Sequence, residues 1–412
     1  MKTWINLPKD TDFTIHNLPF GIFSTEHRRK RVGIAIGDQI IDLLKCAELG
    51  LFDDFLIYEE TFNTSSLNNF ISLGKHKWSL IRRYFIKALT DPNSKLKKNK
   101  DIILVAQANA SMHLPVDIRD YTDFYSSIEH ATNVGKMFRD PENALLPNWR
   151  HIPVAYHGRA SSIIVSGDSV YRPKGQYKPL NHTSPIYGSS LRLDFELETA
   201  FIVGKNTTLG ESITTINAED HIFGMVLFND WSARDIQKWE YVPLGPFLSK
   251  NFASSISPWV ITTEALEPFR TKGPEQNPEV LPYLKFQGDK NYDIKLDVYL
   301  QPHNEEEQLI SSSNFKYMYW NMAQQLAHHT VNGCNVNIGD MMGSGTISGQ
   351  DKNSYGSMLE LTWGGKHPIR LKNGITRTFI EDNDTIVFRG KCEKEGVSLG
   401  FGEVRTKILA SI

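Results

Sequence analysis

Residues 191–198 read Leu-Arg-Leu-Asp-Phe-Glu-Leu-Glu, and this strict alternation of apolar and polar side chains predicts a β-strand with one dry face. Glu196 and Glu198 project together from its other face. Same-face residues of a strand lie about 6.5–7 Å apart, so these two like charges repel each other unless something screens them. Periodicity leaves two interpretations open: a face open to water, or a site for a hard cation such as Ca²⁺ or Mg²⁺, which takes carboxylate ligands.

Size and composition limit the classes of protein to consider. A chain of 412 residues exceeds the roughly 250–300 residues at which one core stops growing, so two domains are expected. A content of 40% hydrophobic and 22% charged residues excludes a disordered chain, and a net charge of −2 offers no field for nucleic acid. We therefore expect no nucleic-acid partner.

The cysteines and the apolar runs bear on the compartment. Cys46, Cys334 and Cys392 form no C-x-x-C pair and no even set, which argues against a disulfide framework and against structural zinc. No run of about 18 apolar residues occurs, so no membrane partner is expected. These features together predict a cytoplasmic protein.

Local patterns divide the chain into two regions. Residues 31–43 predict two short strands around a Gly37-Asp38 turn, and residues 77–90 predict an amphipathic helix covering them. From residue 117 onward, short alternating runs are typical of an all-β sandwich, roll or barrel, with one clear helix over residues 315–330. We expect domains at 1–116 and 117–412.

Two segments concentrate side chains suited to chemistry. Residues 120–135 contain Asp123, Tyr125 and His130, although a lone histidine is more often an ordinary hydrogen-bonded residue, and a lone aspartate a turn residue. Asp230 follows the apolar run 222–228 at a predicted strand end, where it is either a site residue or a helix cap. The hydrogen-bond donors that follow it suggest an anion site, with surface exposure as the alternative: Arg234, Gln237, Tyr241 and Lys250.

Two segments resemble known catalytic or binding motifs but lack features that those motifs require. Residues 343–349 resemble a dinucleotide-binding loop, but the third glycine comes one position late and no βαβ pattern surrounds it. Residues 396–400 match a nucleophile elbow around Ser398, yet no histidine and no helix pattern follow. We interpret the first as a turn and the second as a strand bend.

Several longer blocks resemble the fumarylacetoacetate hydrolase family. These blocks cover residues 120–127, 156–162, 229–241, 344–349 and 356–360. The resemblance implies a mainly β (α+β) chain with a small N-terminal SH3-like barrel, a larger C-terminal mixed β-roll and a homodimer. It also implies metal-dependent hydrolysis of the carbon–carbon bond of 4-fumarylacetoacetate, a β-diketo acid, to fumarate and acetoacetate in the last step of tyrosine catabolism.

The same resemblance implies roles for individual residues. The Ca²⁺ ligands are expected at Asp123, Glu196, Glu198 and Asp230, and a Mg²⁺ site at Asp230, Lys250 and Ser254. The catalytic residues are expected at His130, Glu360, Arg234, Gln237 and Lys250. The substrate contacts are expected at Tyr125, Arg139, Tyr156, Gln237, Tyr241 and Thr346.

The sequence departs from the family pattern in two places. Ala253-Ser254 stands where family members have Gly-Thr, which keeps a hydroxyl for the second metal site but not the glycine. Ile128-Glu129 replaces a polar Arg-Gln pair and sets an extra acid beside His130. Two other functions stay open: a related Mg²⁺-dependent acylpyruvate-type hydrolase or decarboxylase, and a calcium-stabilised β-fold binding protein without catalysis.

Overall fold

The computed structural model describes residues 2–372 and 374–412. The N-terminal region forms a five-stranded antiparallel sheet, whose strands are β1 (Phe20–Thr25), β2 (Arg28–Ile36), β3 (Gln39–Asp42), β4 (Leu104–Ala106) and β5 (Ser111–His113). Their order across the sheet is β4, β3, β2, β1, β5. The predicted turn at Gly37-Asp38 joins β2 to β3, with Ile36 paired to Gln39. The helices of this region are α1 (Leu43–Glu48), α2 (Asn68–Ser72), α3 (Lys75–Thr90), α4 (Lys95–Lys98) and α5 (Lys100–Ile103).

Helix α3 confirms the predicted amphipathic helix and begins two residues before the predicted start at residue 77. Its apolar face is buried, and the Phe85 ring lies 5.9 Å from the ring of Phe52 in the N-terminal core. At the other end of the helix the Trp78 ring lies 4.9 Å from Phe223 of the C-terminal region. One continuous apolar core therefore joins the two regions.

The C-terminal region contains a large mixed sheet that carries the candidate site. Its strands are β6 (Tyr121–Phe124), β7 (Ala155–Gly158), β8 (Ile163–Val165), β13 (Leu197–Val203), β14 (Ile222–Asp230), β16 (Ser254–Ile256), β17 (Ile261–Thr262) and β22 (Met341–Gly343). The order is β7, β6, β22, β13, β14, β16, β8, with β17 also paired to β14. The pairs β22–β6 and β16–β8 are parallel, and the others are antiparallel.

A second sheet packs against the opposite face of the large sheet through a separate apolar core, in the order β21, β20, β25, β26, β9. It is built from β9 (Val170–Tyr171), β20 (Lys295–Gln301), β21 (Gln308–Asn314), β25 (Thr385–Lys394) and β26 (Val397–Leu409). Two-stranded pairs complete the strands: β10 (Lys174–Tyr177) with β11 (Ile186–Ser189), β12 (Leu193–Asp194) with β15 (Ser232–Ala233), β18 (Arg270–Thr271) with β19 (Asn291–Tyr292), and β23 (Ile369–Arg370) with β24 (Thr376–Arg377). The helices are α6 (Ile128–Phe138), α7 (Arg234–Glu240), α8 (Thr263–Leu266), α9 (Met322–Thr330) and α10 (Met358–Leu361).

These sheets and helices confirm the predicted mainly β, mixed α+β class. The domain boundary at residue 116 stays a prediction.

Ser398 lies in β26 and pairs with Glu393 across a β-hairpin, so residues 396–400 form no strand-to-helix elbow. Among the described residues, no helix combines the length and the apolar character needed to cross a bilayer.

Two predicted elements differ from the structure. Residues 191–198 form two strands instead of one, because Glu196 leaves the ladder and bridges Ser357, and both faces of the segment are buried from Leu193 onward. The helix predicted over residues 315–330 begins only at Met322. Asn321 caps it there, in a capping box with Gln324, while residues 315–317 form a separate short turn of 3₁₀-helix.

Gly135 in α6 gives a direct test of this packing. A Cβ atom at this position would lie 2.0 Å from the carbonyl oxygen of Ala144, which is backbone and cannot swing away. Gly→Ala inside a helix normally stabilises by about 0.5–1 kcal/mol, but here the collision should lower the free energy of unfolding by about 1–3 kcal/mol. We expect a reduced urea midpoint for Gly135→Ala.

Gly188→Ala is the matched control for that substitution. A Cβ atom on Gly188 would meet its nearest neighbour, the Tyr177 hydroxyl, at 3.6 Å, an ordinary contact distance. We expect its urea midpoint to stay close to that of the unmodified protein. Equal midpoints for Gly135→Ala and Gly188→Ala would contradict the packing described for α6.

Candidate active site

Four buried carboxylates meet over the inner strands of the large sheet. One oxygen from each lies within 4.8 Å of the others, and the residues are Asp123, Glu196, Glu198 and Asp230. They come together because β6, β22, β13 and β14 are neighbours in the sheet. Between them Gly343 of β22 pairs with Asp123, and a Cβ atom on this glycine would lie 2.9 Å from Asp123 Oδ1. The absence of a side chain at Gly343 keeps the space between the carboxylates open.

Two buried cations neutralise one side of this carboxylate cluster. Lys250 Nζ donates to Glu196 Oε2 and to Asp230 Oδ2, both at 2.6 Å, and Arg234 Nη1 lies 2.6 Å from Glu196 Oε1. Burial acts to raise the pKa of Glu196, but the charges of Lys250 and Arg234 lower it below its ordinary value. Burial acts to lower the pKa of Lys250, and its two carboxylate partners raise it instead. Both groups are therefore held in their charged forms.

On the other side of the cluster, the described residues include no cation that forms an ion pair with Asp123 or Glu198. Burial, together with the neighbouring carboxylates, raises the pKa of Asp123 and of Glu198 well above the ordinary values. Asp123 Oδ1 and Glu198 Oε1 are buried and have no hydrogen-bond partner among the described residues. Unpaired carboxylate oxygens around an open space are the donor set of a hard divalent cation. The four residues therefore fit a metal ion.

His130 and Glu360 form a second buried group. His130 lies in the first turn of α6, where the Ser127 hydroxyl accepts its backbone N–H at 3.2 Å. Its Nδ1 lies 2.7 Å from Glu360 Oε2, and its ring meets the Tyr125 ring edge-on with centroids 5.3 Å apart. Because a carboxylate accepts at Nδ1, the neutral imidazole carries its proton there and leaves Nε2 free to accept another.

Glu360 is held by more than the histidine. Its side chain also accepts hydrogen bonds from Asn133 Nδ2, Ser348 Oγ and Ser357 Oγ, each at 2.9 Å. Burial acts to raise the pKa of Glu360, but the interaction with His130 and these hydrogen bonds lower it overall. The carboxylate therefore stays ionised and fixes the orientation of the imidazole.

Further predicted residues surround the carboxylate cluster. The Tyr156 hydroxyl donates to Asp230 Oδ2, and the Ser254 hydroxyl donates to Asp230 Oδ1, both at 3.0 Å. Gly345 N donates to Glu198 Oε2 at 2.9 Å, which places Thr346 next to the cluster. Arg234 Nη2 and Thr346 Oγ1 are buried without a partner among the described residues. These two groups remain available to bind a ligand.

Three predicted residues lie further out. Gln237 is partly buried and its Oε1 accepts from Arg234 Nη1 at 3.2 Å. Tyr241 is 50% exposed just after α7. Arg139 is exposed at the end of α6, where its guanidinium donates to the Ala144 carbonyl at 2.9 Å. Their roles in binding a substrate stay predictions.

Sequence reasoning missed several residues that contact the site, among them Ser348 and Ser357, which donate to Glu360, as well as Asn133 and Asp194. Asn133 binds Glu360 and lies one helical turn after His130, so helical spacing was a usable signal. Asp194 binds Arg234 Nε at 2.8 Å and has the same parity as Glu196 and Glu198 in the opening segment. The alternation therefore pointed to three carboxylates, not to two.

Comparisons with known proteins agree along the whole chain. A family profile described as fumarylacetoacetase N-terminal matches residues 16–115, and one described as fumarylacetoacetate (FAA) hydrolase C-terminal matches residues 120–409. The fumarylacetoacetase of Homo sapiens is 50% identical over 415 residues, which cover 100% of this chain and 99% of the human protein. That of Dictyostelium discoideum is 51% identical over 418 residues, with 99% and 98% covered.

Solved structures show the same fold at much lower identity. A fumarylacetoacetate hydrolase from Exiguobacterium antarcticum superposes with a TM-score of 0.54 at 17% identity, covering 95% of this chain and 99% of that one. A maleylpyruvate hydrolase from Sphingobium superposes with a TM-score of 0.52 at 14% identity, covering 96% and 100%. The profiles and the full-length identities show that the chain belongs to the fumarylacetoacetate hydrolase family.

Proposed function

We propose that this protein hydrolyses the carbon–carbon bond of 4-fumarylacetoacetate to give fumarate and acetoacetate, the last step of tyrosine catabolism. The observation that carries the proposal is identity of about half of all residues, over the whole chain, to fumarylacetoacetases of animals and a slime mould. The site supplies groups suited to the three tasks of this reaction. They are activation of water, polarisation of a carbonyl and stabilisation of the charge that develops.

His130 is the proposed base. With its Nδ1 proton held by Glu360, its Nε2 accepts a proton from the attacking water. The hydroxide adds to a carbonyl carbon next to the bond that breaks, and a tetrahedral oxyanion forms. When this intermediate collapses, the carbon–carbon bond electrons leave with the acetoacetate fragment as an enolate, and the imidazolium returns its proton to that carbon. General acid–base catalysis of this kind contributes about 10²- to 10⁴-fold in rate.

The carboxylate cluster is the proposed metal site. Asp123, Glu196, Glu198 and Asp230 would hold the ion, for which we propose Ca²⁺. When bound, a divalent cation supplies Lewis-acid polarisation of a substrate carbonyl. A second ion, Mg²⁺, is proposed beside Asp230, Lys250 and Ser254, where the Asp230 carboxylate and the Ser254 hydroxyl supply oxygen atoms, whereas the charged Lys250 ammonium cannot itself ligate a cation.

Donor groups of the chain would stabilise the oxyanion and the enolate. Arg234 offers an unpartnered Nη2, and Lys250 is held in its charged form close by. Gln237 contacts the same guanidinium. One well-placed donor of this kind is worth about 3–4 kcal/mol of transition-state stabilisation. The substrate itself is proposed to contact Tyr125, Arg139, Tyr156, Gln237, Tyr241 and Thr346.

A homodimer and a cytoplasmic location complete the proposal. The loop after α7 exposes three large apolar side chains, with Val242 66%, Leu244 96% and Phe247 66% accessible, and exposed apolar side chains grouped in one loop are typical of a protein–protein surface. Sedimentation equilibrium tests the dimer.

Cys46, Cys334 and Cys392 are all free thiols, which fits a reducing compartment.

A turnover assay tests the function directly. Purified protein is mixed with fumarylacetoacetate, and the loss of the conjugated enol-dione absorbance is followed together with the release of fumarate. We expect turnover that stops after chelation and returns when a divalent cation is added. Absence of turnover with the metal-loaded protein would reject the proposal.

Replacing His130 isolates the proposed base. We expect His130→Ala to lower kcat by about 10²- to 10⁴-fold, because the imidazole bound to Glu360 is lost. His27→Ala is the matched control, since the His27 side chain is 86% exposed in the turn between β1 and β2. Its kcat should match that of the unmodified enzyme. Full activity of His130→Ala would exclude His130 as the base.

Replacing Glu198 tests the metal site through stability. At a Ca²⁺ concentration of 100 times the Kd, binding should raise the free energy of unfolding by about 2.7 kcal/mol, and thermal melts with and without chelator measure the effect. Glu198→Gln should melt higher than the unmodified protein without metal, because a neutral amide avoids the cost of either ionising or protonating a buried carboxyl group among like charges, yet gain little from Ca²⁺.

A carboxylate outside the cluster serves as the control for this comparison. Glu219 binds Arg270 and Lys290 and lies just before β14, at the opposite end of that strand from Asp230. Glu219→Gln should keep the full Ca²⁺-dependent rise in melting temperature. An identical rise for Glu198→Gln would show that Glu198 is not a ligand.

A further inference from the structure

Asp194 is a completely buried carboxylate that contacts both halves of the proposed site. It lies at the end of β12, next to β15, and has no exposed surface. Its Oδ2 accepts from Arg234 Nε at 2.8 Å. Its two oxygens also accept from the backbone N–H groups of Met358, at 2.7 Å, and Leu359, at 3.0 Å. These are the first two residues of α10, the helix that carries Glu360.

The contact with Arg234 fixes the plane of the guanidinium. Nε is bound to Asp194, while Nη1 is bound to Glu196 and Gln237. Because the guanidinium is rigid and planar, two anchored nitrogens determine where the third points. Nη2 is that third nitrogen, and it is the one left without a partner among the described residues.

The contact with α10 fixes the position of the helix backbone that carries Glu360. The first three backbone N–H groups of this helix are distributed between two side chains: Asp194 accepts those of Met358 and Leu359, and the Ser357 hydroxyl accepts that of Glu360. A helix of only four residues has little stability of its own, so these bonds hold it in place. Glu360 then presents its carboxylate to His130 at 2.7 Å.

We propose that Asp194 is a positioning residue that sets the oxyanion-stabilising Arg234 and the base-orienting Glu360 at a fixed distance from each other. This inference rests on the proposed function. The carboxylate touches neither substrate nor metal in this role and acts only through its two partners. It is suited to the task because a carboxylate can accept from a guanidinium and from two backbone N–H groups at once, whereas an amide would turn its NH₂ towards one of these donors.

Kinetics of Asp194→Asn in three backgrounds test the inference. In the otherwise unmodified enzyme we expect kcat to fall about 10²-fold, as for a displacement of about 1 Å, with a much smaller change in KM. In the Arg234→Ala and Glu360→Gln backgrounds the same substitution should cost at most about 10-fold, because one of the two partners is already lost. A residue that only supports the fold would lower kcat by the same factor in all three backgrounds, and that result would overturn the inference.

Asp42→Asn is the matched control. Asp42 is also fully buried, accepts from an arginine, Arg28 Nη1 at 2.7 Å, and accepts from a backbone N–H at a helix start, Lys45 N at 3.1 Å. It belongs to the N-terminal sheet. We expect this variant to lose stability while kcat per folded molecule stays within about twofold. A loss of kcat like that of Asp194→Asn would overturn the inference.

If Asp194→Asn does not fold, a second variant tests the positioning role of Asp194 instead. Asp194→Glu keeps the charge and moves the carboxylate by one methylene, so it should fold and lose about 10-fold in kcat, again with a smaller loss in the Arg234→Ala background. Unchanged kcat in Asp194→Glu would overturn the inference. If the unmodified enzyme shows no turnover, the proposed function fails and the inference with it, whereas equal losses in an active enzyme reject the inference alone.

Discussion

The structure depends on how charge is compensated among four buried carboxylates. Removing an ion from water costs several kcal/mol unless a partner compensates it. Lys250 and Arg234 supply that partner for Glu196 and Asp230, whereas Asp123 and Glu198 keep unpaired oxygens. The cluster is therefore only half neutralised by the protein itself. A bound cation would complete the charge balance and, because it would bind only the folded site, would also stabilise the fold around it.

The apolar core and the polar site have separate tasks. The sheets bring the ends of β6, β13 and β14 together, and the apolar packing behind them makes those ends rigid. The groups that follow the strand ends are set by hydrogen bonds instead. Glu240, for example, accepts the backbone N–H groups of Phe247 and Ser249, which ties back the loop leading to Lys250. Rigid strands with hydrogen-bonded loops give the fixed geometry that transition-state stabilisation requires.

Local patterns predicted what is locally determined. The hairpin follows from two short strand patterns on either side of Gly37-Asp38, and helix α3 follows from apolar residues at helical spacing. The alternation of residues 191–198 located Glu196 and Glu198, but not the break in the strand, because that break depends on a bridge from Glu196 to Ser357, far along the chain. The pairing of His130 with Glu360 spans 230 positions, so only the family resemblance could indicate it. The start of α9 could be predicted from the sequence, since Asn321 and Gln324 form a capping box.

The departure from the family pattern at Glu129 is compatible with the proposed base. Glu129 lies in the first turn of α6, where the helix dipole favours a carboxylate. Burial is the main cause that raises its pKa, and the charge of Glu360 adds to that effect. The extra acid is thereby biased towards its neutral form, and it contributes less negative charge at the imidazole than an exposed glutamate would. Glu360, whose pKa is lowered and which binds Nδ1 directly, remains the group that determines the orientation and tautomer of His130.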